Sequence, residues 1–500
     1  MLFRSFLATT ADIDNADFAA GRLIFGKAGQ AGAAIVNEGT IRVADGGYAV
    51  LAAPAVRNGG LVEARLGRVM LAGAERFTLD LAGDGLLRFE IPAELAGRVV
   101  NDGTVTGAQV LMTARVARDG MAGVINAGGL VEATAAREVD GRIIIGGEGV
   151  ETAVSGTLRA GGGAIDILGD TVALTGAVVD ASGTLDGGSI RIGGDYQGGG
   201  TLHRSQQTRI DAGSRVAADG ATGDGGRIIV WSDGRTVHEG TVSARGAVDG
   251  GFAEVSGKGS LRFAGTADLA GGPGGKAGEL LLDPTNITIG TVADVNGDST
   301  TGDDIPGSSI GAGDYSGADS LITADAIAAL LNSGTSVSLA ASNDITVNNS
   351  IAKTAGTGST LSLNAGRDLT FASGVGVTSS SGALSMDFDA GRTITATGGS
   401  FTSNGGSISL TATGGSGATG ISLSGAGLSA GSGHITLNGI GTGTGVLLTG
   451  GSSLGTGNGD ITVTGNGAIG VDFAYATAST TGLGDLTVTG TAQGGTDGAI

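Results

Sequence analysis

Residues Gly225 to Ile289 read GGRIIVWSDGRTVHEGTVSARGAVDGGFAEVSGKGSLRFAGTADLAGGPGGKAGELLLDPTNITI. This stretch decides the fold. Its apolar residues fall in short runs: Arg227–Trp231, Val242–Ala244, Phe252–Val255, Leu261–Phe263, Leu280–Leu282 and Ile287–Ile289. Gly, Asp and Ser separate them. Short strands at fairly even spacing with turn residues between predict an all-β repeat structure, and so many glycines leave no helical period intact.

The same stretch resembles the exoproteins of two-partner secretion, the filamentous-haemagglutinin type of adhesin. The resemblance rests on the GG-x-I-x-V-W-x-DG opening, the GGF-x-EVSGK centre and the LLLDPTNITI close. Asp12 to Ile91 is similar to the C-terminal part of that family's secretion domain. The domain's NPNG- and NPNL-like motifs are missing, since the chain has no Asn-Pro pair. Met1–Leu7 is too short for a signal peptide. The expectation is a member of this type truncated at its N-terminus. The resemblance implies export by a Gram-negative bacterium through an outer-membrane β-barrel transporter. It also implies release or display at the cell surface, and attachment to a host or bacterial receptor or glycan, as in virulence-associated adhesion.

Composition agrees with a thin-cored solenoid. The 500 residues include 101 Gly, five Pro and no Cys, with 40 % hydrophobic but only 3 % aromatic residues. Gly without a G-X-Y period excludes collagen, and the core must be built from Val, Ile, Leu and Ala. Without Cys there are neither disulfides nor thiol chemistry. A formal net charge of −20 repels nucleic acid. After Thr301 the only basic residues are Lys353, Arg367 and Arg392, which argues against a heparin-type or polybasic membrane patch there. No apolar run is long enough for a transmembrane helix.

Three repeat series support stacking. Asn-x-Gly-x-[Ile/Leu/Val] recurs at Asn37, Asn58, Asn101 and Asn126, in steps of 21, 43 and 25, and each Asn-x-Gly is expected to turn the backbone. Ile165, Ile190, Ile228 and Ala253 follow Gly pairs in steps of 25, 38 and 25. The long step calls for an insertion, Tyr196–Gln207, looping out of one coil. Ile345, Leu369, Ile394, Ile435, Ile461 and Leu486 form a third series with steps of 24, 25, 41, 26 and 25. Such a period suits one coil of a right-handed parallel β-helix. At the usual strand spacing, roughly 20 coils make a rod on the order of 100 Å. Gly498–Ile500 stops mid-pattern, which fits a piece of a longer chain.

The expected organisation is 1–91 as the end of a secretion domain, 92–290 as β-helix repeats, 291–335 as an acidic excursion plus a short helix, and 336–500 as Ser/Thr/Gly-rich repeats. The helix is placed at Ala324–Leu331, with Thr323 as N-cap, Ile327, Leu330 and Leu331 on one face, and Asn332 and Gly334 as the stop. It is expected to lie against the side of the solenoid.

No catalytic, cofactor-binding or metal-ligating residue is assigned. Asp344 and Asp368 lie one period apart, as do Asp460 and Asp485, so each pair could stack as a glycoside-hydrolase-like couple. They sit at strand entries, where Asp makes turns, and Arg367 is the only base noted beside them. His203, His238 and His434 share no ligand spacing and read as solvent-facing; His238-Glu239 lacks a second His four residues on. Asp294-x-Asn296-x-Asp298-x-Thr300, with Asp303 and Asp304, alternates like a calcium loop. It has Ser299 where such a loop needs Gly and Ile305 where it needs Glu. Gly271–Gly275 lacks the Lys-Ser/Thr of a phosphate loop and reads as a long corner. Trp231 reads as buried between coils rather than as a sugar platform. The sequence thus points to a non-enzymatic, cofactor-free adhesin. A polysaccharide-active β-helix enzyme, and the stalk of a contact-dependent toxin or haem-capture exoprotein, stand as alternatives.

Overall fold

The structure, a computed structural model, describes residues 2–30, 32–79, 97–114, 123–133, 141–291, 319–414 and 419–492. Most of the expected acidic excursion, the whole Asp294–Asp304 loop and the Gly498–Ile500 end lie outside them. Two compact units divide the chain. The first is Met1–Ala253 with Gly272–Gly275, and the second is Glu254–Gly271 with Lys276–Ile500. Each is a parallel β-helix.

In the first unit a coil is three short strands. Val150–Val154, Thr157–Ala160 and Ala164–Ile167 make one coil, and Thr171–Leu174, Val178–Asp180 and Ser189–Ile192 make the next. Each strand pairs in parallel with its counterpart: Thr152 with Val172, Leu158 with Val179, Ile165 with Ile190. Alternate residues point inward, so Ile165, Ile167, Ile190, Ile192, Ile228 and Val230 are all fully buried. Fully burying an aliphatic side chain contributes about 1.5–3 kcal/mol, and the stripe repeats in every coil. Gly pairs precede these strands because main chains touch there. A Cβ on Gly188 would lie 2.1 Å from the Gly163 carbonyl oxygen, and one on Gly226 would lie 2.2 Å from that of Gly188.

The second series holds its register across the long step, with Ile190 directly beside Ile228. The three residues between Ala164–Ile167 and Thr171–Leu174 become fourteen between Ser189–Ile192 and Gln207–Ile210, which places the insertion where the spacing demanded it.

The Asn series has a different cause from the one expected. Asn37, Asn58 and Asn101 each end a strand, and none has a positive φ. Their side chains point inward and form a ladder. The Asn37 amide donates to Asn58 Oδ1 at 2.7 Å, and the Asn58 amide donates to Asn101 Oδ1 at 2.8 Å. Asn126 does not continue it. Asn101 pairs with Ala127, so Asn126 points outward one residue out of step.

Outside the tube, the first unit carries elements the sequence reading omitted. A five-residue helix, α1, spans Asn15–Ala19, so the expected single helix is not the only one. Strands Leu23–Phe25 and Phe77–Leu79 pair antiparallel. Phe25 stacks on Phe77 at 4.6 Å, and together they cover Val50, Ala52, Met70 and Ala72, a second apolar cluster on the outer side of the wall.

In the second unit the expected helix is present as α2, Ala324–Asn332. Thr323 Oγ1 accepts the Ala326 N–H at 3.2 Å, Ile327, Leu330 and Leu331 are buried, and Gly334 has φ +85°. It does not lie on the outside of the solenoid. It packs between strands Thr266–Asp268 and Ile351–Lys353, taking a strand's place in the wall. Ser333 and Thr335 bond back to Ala267 and Leu269, and Asn332 Oδ1 accepts the N–H groups of Thr354 and Ala355. Lys353 is 1 % exposed, and its ammonium donates to the carbonyl oxygens of Leu331 and Ala355 at 2.7 and 2.5 Å. That places a cation at the helix C-terminus, where the free carbonyls favour it, while burial pushes the amine's pKa down. Strand Asp319–Thr323, just before α2, is inserted between Ser260–Phe263 and Asn286–Gly290.

The third series splits between two faces. Ile345, Leu369 and Ile394 are neighbours, but the next rung above Ile394 is Ile421. Ile435, Ile461 and Leu486 stack on another face, below which lies Ile408. The 41-residue step was a change of face.

The ladder gives a paired test. Removing Asn58 takes from Asn37 the acceptor at 2.7 Å and from Asn101 Oδ1 the donor at 2.8 Å, both inside the core, so Asn58→Ala should destabilise the first unit by about 2–4 kcal/mol. Asn126→Ala, from the same sequence motif but pointing outward, should stay within about 0.5 kcal/mol. Urea midpoints of the two variants check this, and equal shifts would refute the ladder.

Candidate functional site

The insertion is a strap rather than a projecting loop. Asp195 caps a short 3-10 turn at Tyr196–Gly198, its Oδ1 accepting the Tyr196 N–H at 2.8 Å, and its Oδ2 accepts from Arg191 at 3.0 Å. Arg204 donates to the Gly198 carbonyl at 2.9 Å and to Asp233 at 3.0 Å, and His203 Nε2 meets Asp170 at 2.6 Å. Ser205 and Thr208 hydroxyls donate to the Trp231 carbonyl.

Trp231 is 5 % exposed, as its buried reading requires, but the strap rather than a neighbouring coil covers it. A Cβ on Gly194 or Gly198 would lie 2.8 or 2.6 Å from the indole, so only glycine lets the strap close over the ring. The indole N–H donates to Asp233 at 3.1 Å. Tyr196 is left 40 % exposed on the outer side.

The stacked aspartates are brought together and neutralised. Arg367 makes a two-pronged pair with Asp344, and Arg392 makes one with Asp368. Arg392 was not foreseen in this role. The Arg367 guanidinium holds the Asp344 carboxyl below its ordinary pKa, and both arginines are raised in turn by their aspartates. An acid held ionised in this way cannot donate a proton at neutral pH. Asp460 and Asp485 stack on a different face, where Asp460 Oδ1 accepts the Asp485 N–H at 2.8 Å, a turn-making role.

A pair that the sequence reading missed is Asp387 and Asp389, two residues apart and on the same outer side of strand Leu384–Ala390. Neither joins an ion pair among the described residues. Burial, and then the charge of Asp387, push the Asp389 pKa up. Asp166 was also missed. It is 1 % exposed and is held by Arg142 at 2.9 Å and Arg191 at 2.7 Å. Its register opposite Arg191 could not be read without knowing which strands stack.

The histidines are scattered, as their spacing implied, but not all face solvent. His434 is exposed beside Asp460, and His203 is half-buried. His238 is fully buried, pointing inward at the position that Ile210 fills in the preceding coil. Burial drives its pKa down to about 4. Gly272–Gly275 forms a corner, with the Gly272 N–H donating to the Val248 carbonyl at 2.9 Å and Gly275 turning back to Gly272. Among the described residues no group of three or more His, Cys, Asp or Glu is placed to hold a metal, and no helix is long and apolar enough to cross a membrane.

No family model matches the chain, and no curated protein does. Among solved structures, the chain is similar to the crystal structure of the HMW1 secretion domain from Haemophilus influenzae. The match has 28 % identity and a TM-score of 0.48, over 56 % of this chain and 75 % of that one.

The buried histidine predicts an acid response. Burial holds it neutral in the folded state, with its pKa pushed down to about 4 from the ordinary 6.5 that it regains when unfolded. The unfolded chain therefore binds the extra proton between these values, and stability falls as pH drops through that window and levels off below it. The loss from this group is about 3 kcal/mol. His238→Leu should remove that limb of the stability–pH curve. An unchanged curve between pH 6.5 and 4 would contradict a buried neutral imidazole.

Proposed function

We propose that this chain is part of an exported, non-enzymatic exoprotein of the two-partner type, and that its β-helix serves attachment. The observation that carries the reading is how the resembling stretch maps onto the coil. Gly225–Gly226 forms the corner, Arg227–Val230 the inward-alternating strand, and Asn286–Gly290, which takes in the end of the LLLDPTNITI close, a strand again. The parts of the motif thus fall on the corners and inward-alternating strands of the coils, which supports the reading. The partners on this reading are an outer-membrane β-barrel transporter and a surface receptor or glycan, and the location is outside the cell. The ion pairs that occupy Asp344 and Asp368 support a structural role for the residues most like a catalytic couple.

A polysaccharide-active enzyme is the second reading, favoured by Asp387 and Asp389, where one carboxyl is raised beside another on an open face. Incubation with acidic polysaccharides, followed by assay for new reducing ends or unsaturated products, separates the two. Product that disappears in Asp389→Asn would replace the adhesin reading.

The attachment reading predicts that deleting the gene for this chain, with its transporter retained, removes the protein from culture supernatant and cell surface and lowers adherence several-fold. Adherence at the parental level in the deletion strain would sink it.

A further inference from the structure

Three residues far apart in sequence meet on the outer wall of the first unit. The Arg227 guanidinium carbon lies 4.8 Å from the centre of the Tyr196 ring and 4.6 Å from that of Phe252. The two rings stand 5.9 Å apart at 68°. Arg227 is exposed and joins no ion pair among the described residues, although the chain carries 48 acidic residues to 28 basic. Many of the other described arginines are spent on carboxylates of neighbouring coils, as Arg57, Arg142, Arg191, Arg367 and Arg392 are.

The setting is rigid. Tyr196 sits at the start of the strap's 3-10 turn, fixed by the Asp195 cap and by Asp195's bond to Arg191. Its neighbour Gln197 holds φ +50°, a left-handed conformation that a side-chain-bearing residue seldom adopts. Gln197 lies between Gly194 and Gly198, whose backbones press on the buried Trp231. The tyrosine is held over the arginine by a turn that Asp195 caps and ties to Arg191.

A guanidinium pinned against aromatic faces keeps its N–H edges for an acceptor, and its planar fork matches a carboxylate or sulfate. Adjacent aromatic surface suits the apolar C–H face of a pyranose ring. The chain's net charge of −20 disfavours long polyanions held by charge alone and leaves short-range geometry to select the ligand. We propose that Tyr196, Arg227 and Phe252 form a binding site for an anionic sugar residue, carboxylated or sulfated. The site stands on its own geometry and supplies a ligand class for the attachment reading without requiring it.

Trp231 is the chain's one tryptophan and lies directly beneath the strap that carries Tyr196, so its emission reports on the strap. Purified protein is titrated with tetragalacturonate, a heparin-derived tetrasaccharide and neutral cellotetraose, with calorimetry in parallel. The expected result is a saturable emission change and heat with one anionic sugar or both, at a Kd of about 0.1–1 mM, and neither with cellotetraose. Response to tetragalacturonate alone assigns a carboxylated sugar, and response to the heparin fragment alone assigns a sulfated one.

Arg227→Gln should weaken binding by about tenfold or more while leaving the urea midpoint unchanged. Arg227→Lys should recover only part of that affinity, because the fork is lost. Tyr196→Ala should weaken binding as well. Should it also lower the midpoint through loss of cover, the Arg227 variants still decide. No response to either anionic sugar, equal response to cellotetraose, or binding that survives Arg227→Gln overturns the site. The assay uses neither transporter nor cells, so its failure leaves the export and attachment reading standing, and loss of that reading leaves the binding result intact.

Discussion

Everything in these two units depends on parallel main-chain pairing between equivalent strands of successive coils. The pairing fixes neighbours to within one residue, and side chains then have little freedom over what they meet. Ile165 meets Ile190, and Ile190 meets Ile228, because the backbones are already in register. The glycine corners follow from the same constraint. At Gly163, Gly188 and Gly226 the main chains come so close that a Cβ would fall about 2 Å from a carbonyl oxygen of the coil below. The glycine content is therefore a packing requirement of stacked corners and only locally a matter of backbone freedom.

Stacking turns side chains into columns, and a column is more demanding than an isolated position. Like charges directly opposite destabilise a sheet, whereas opposite charges and hydrogen-bonded amides stabilise it. In an acidic chain the sparse arginines are placed accordingly. Arg57 reaches Glu38 on one neighbouring coil and Asp102 on the other, and Asp166 is shared by Arg142 and Arg191. Inside the tube the same logic gives the Asn37–Asn58–Asn101 ladder, where each amide supplies what its neighbour needs. A polar residue that would be costly alone is tolerated because the column satisfies it.

This explains what the sequence revealed and what it hid. The period, the alternation, the Gly corners, the insertion and α2 were legible because each is local: a run of residues, a spacing, a cap. The assignment of strands to faces was not. All three faces of a coil use the same alternating pattern, so Ile394 and Ile435 look equivalent in sequence although they stack on different faces. Asn126 shows the finer limit. Its motif matches that of Asn101, yet one residue of drift turns the side chain from core to solvent, because the strand period is two. The outer cluster around Phe25 and Phe77 was invisible for another reason. It depends on an antiparallel pair joining residues more than fifty positions apart, with no turn signal linking them.

The same argument bears on where function can reside in such a fold. A coil's inward positions are committed to the stripe, and its regular outward positions are largely committed to column neighbours, as the Asp344–Arg367 and Asp368–Arg392 pairs illustrate. Freedom to recognise something else arises where the repeat is broken, since an inserted segment has no counterpart in the coils above and below to dictate its side chains. The strap at 193–206 is one such break among the described residues, and α2 with the strand before it is another. They have been used differently. The α2 break is absorbed into the wall, its polar ends bonded to the coils on both sides and its C-terminus closed by Lys353. The strap is equally well tied, yet it leaves Tyr196 outside, over an arginine that no neighbouring carboxylate claims. A solenoid that satisfies its regular positions internally concentrates recognition at such interruptions, and the interruption that ends with an exposed ring and an uncommitted cation is the one built to meet a ligand.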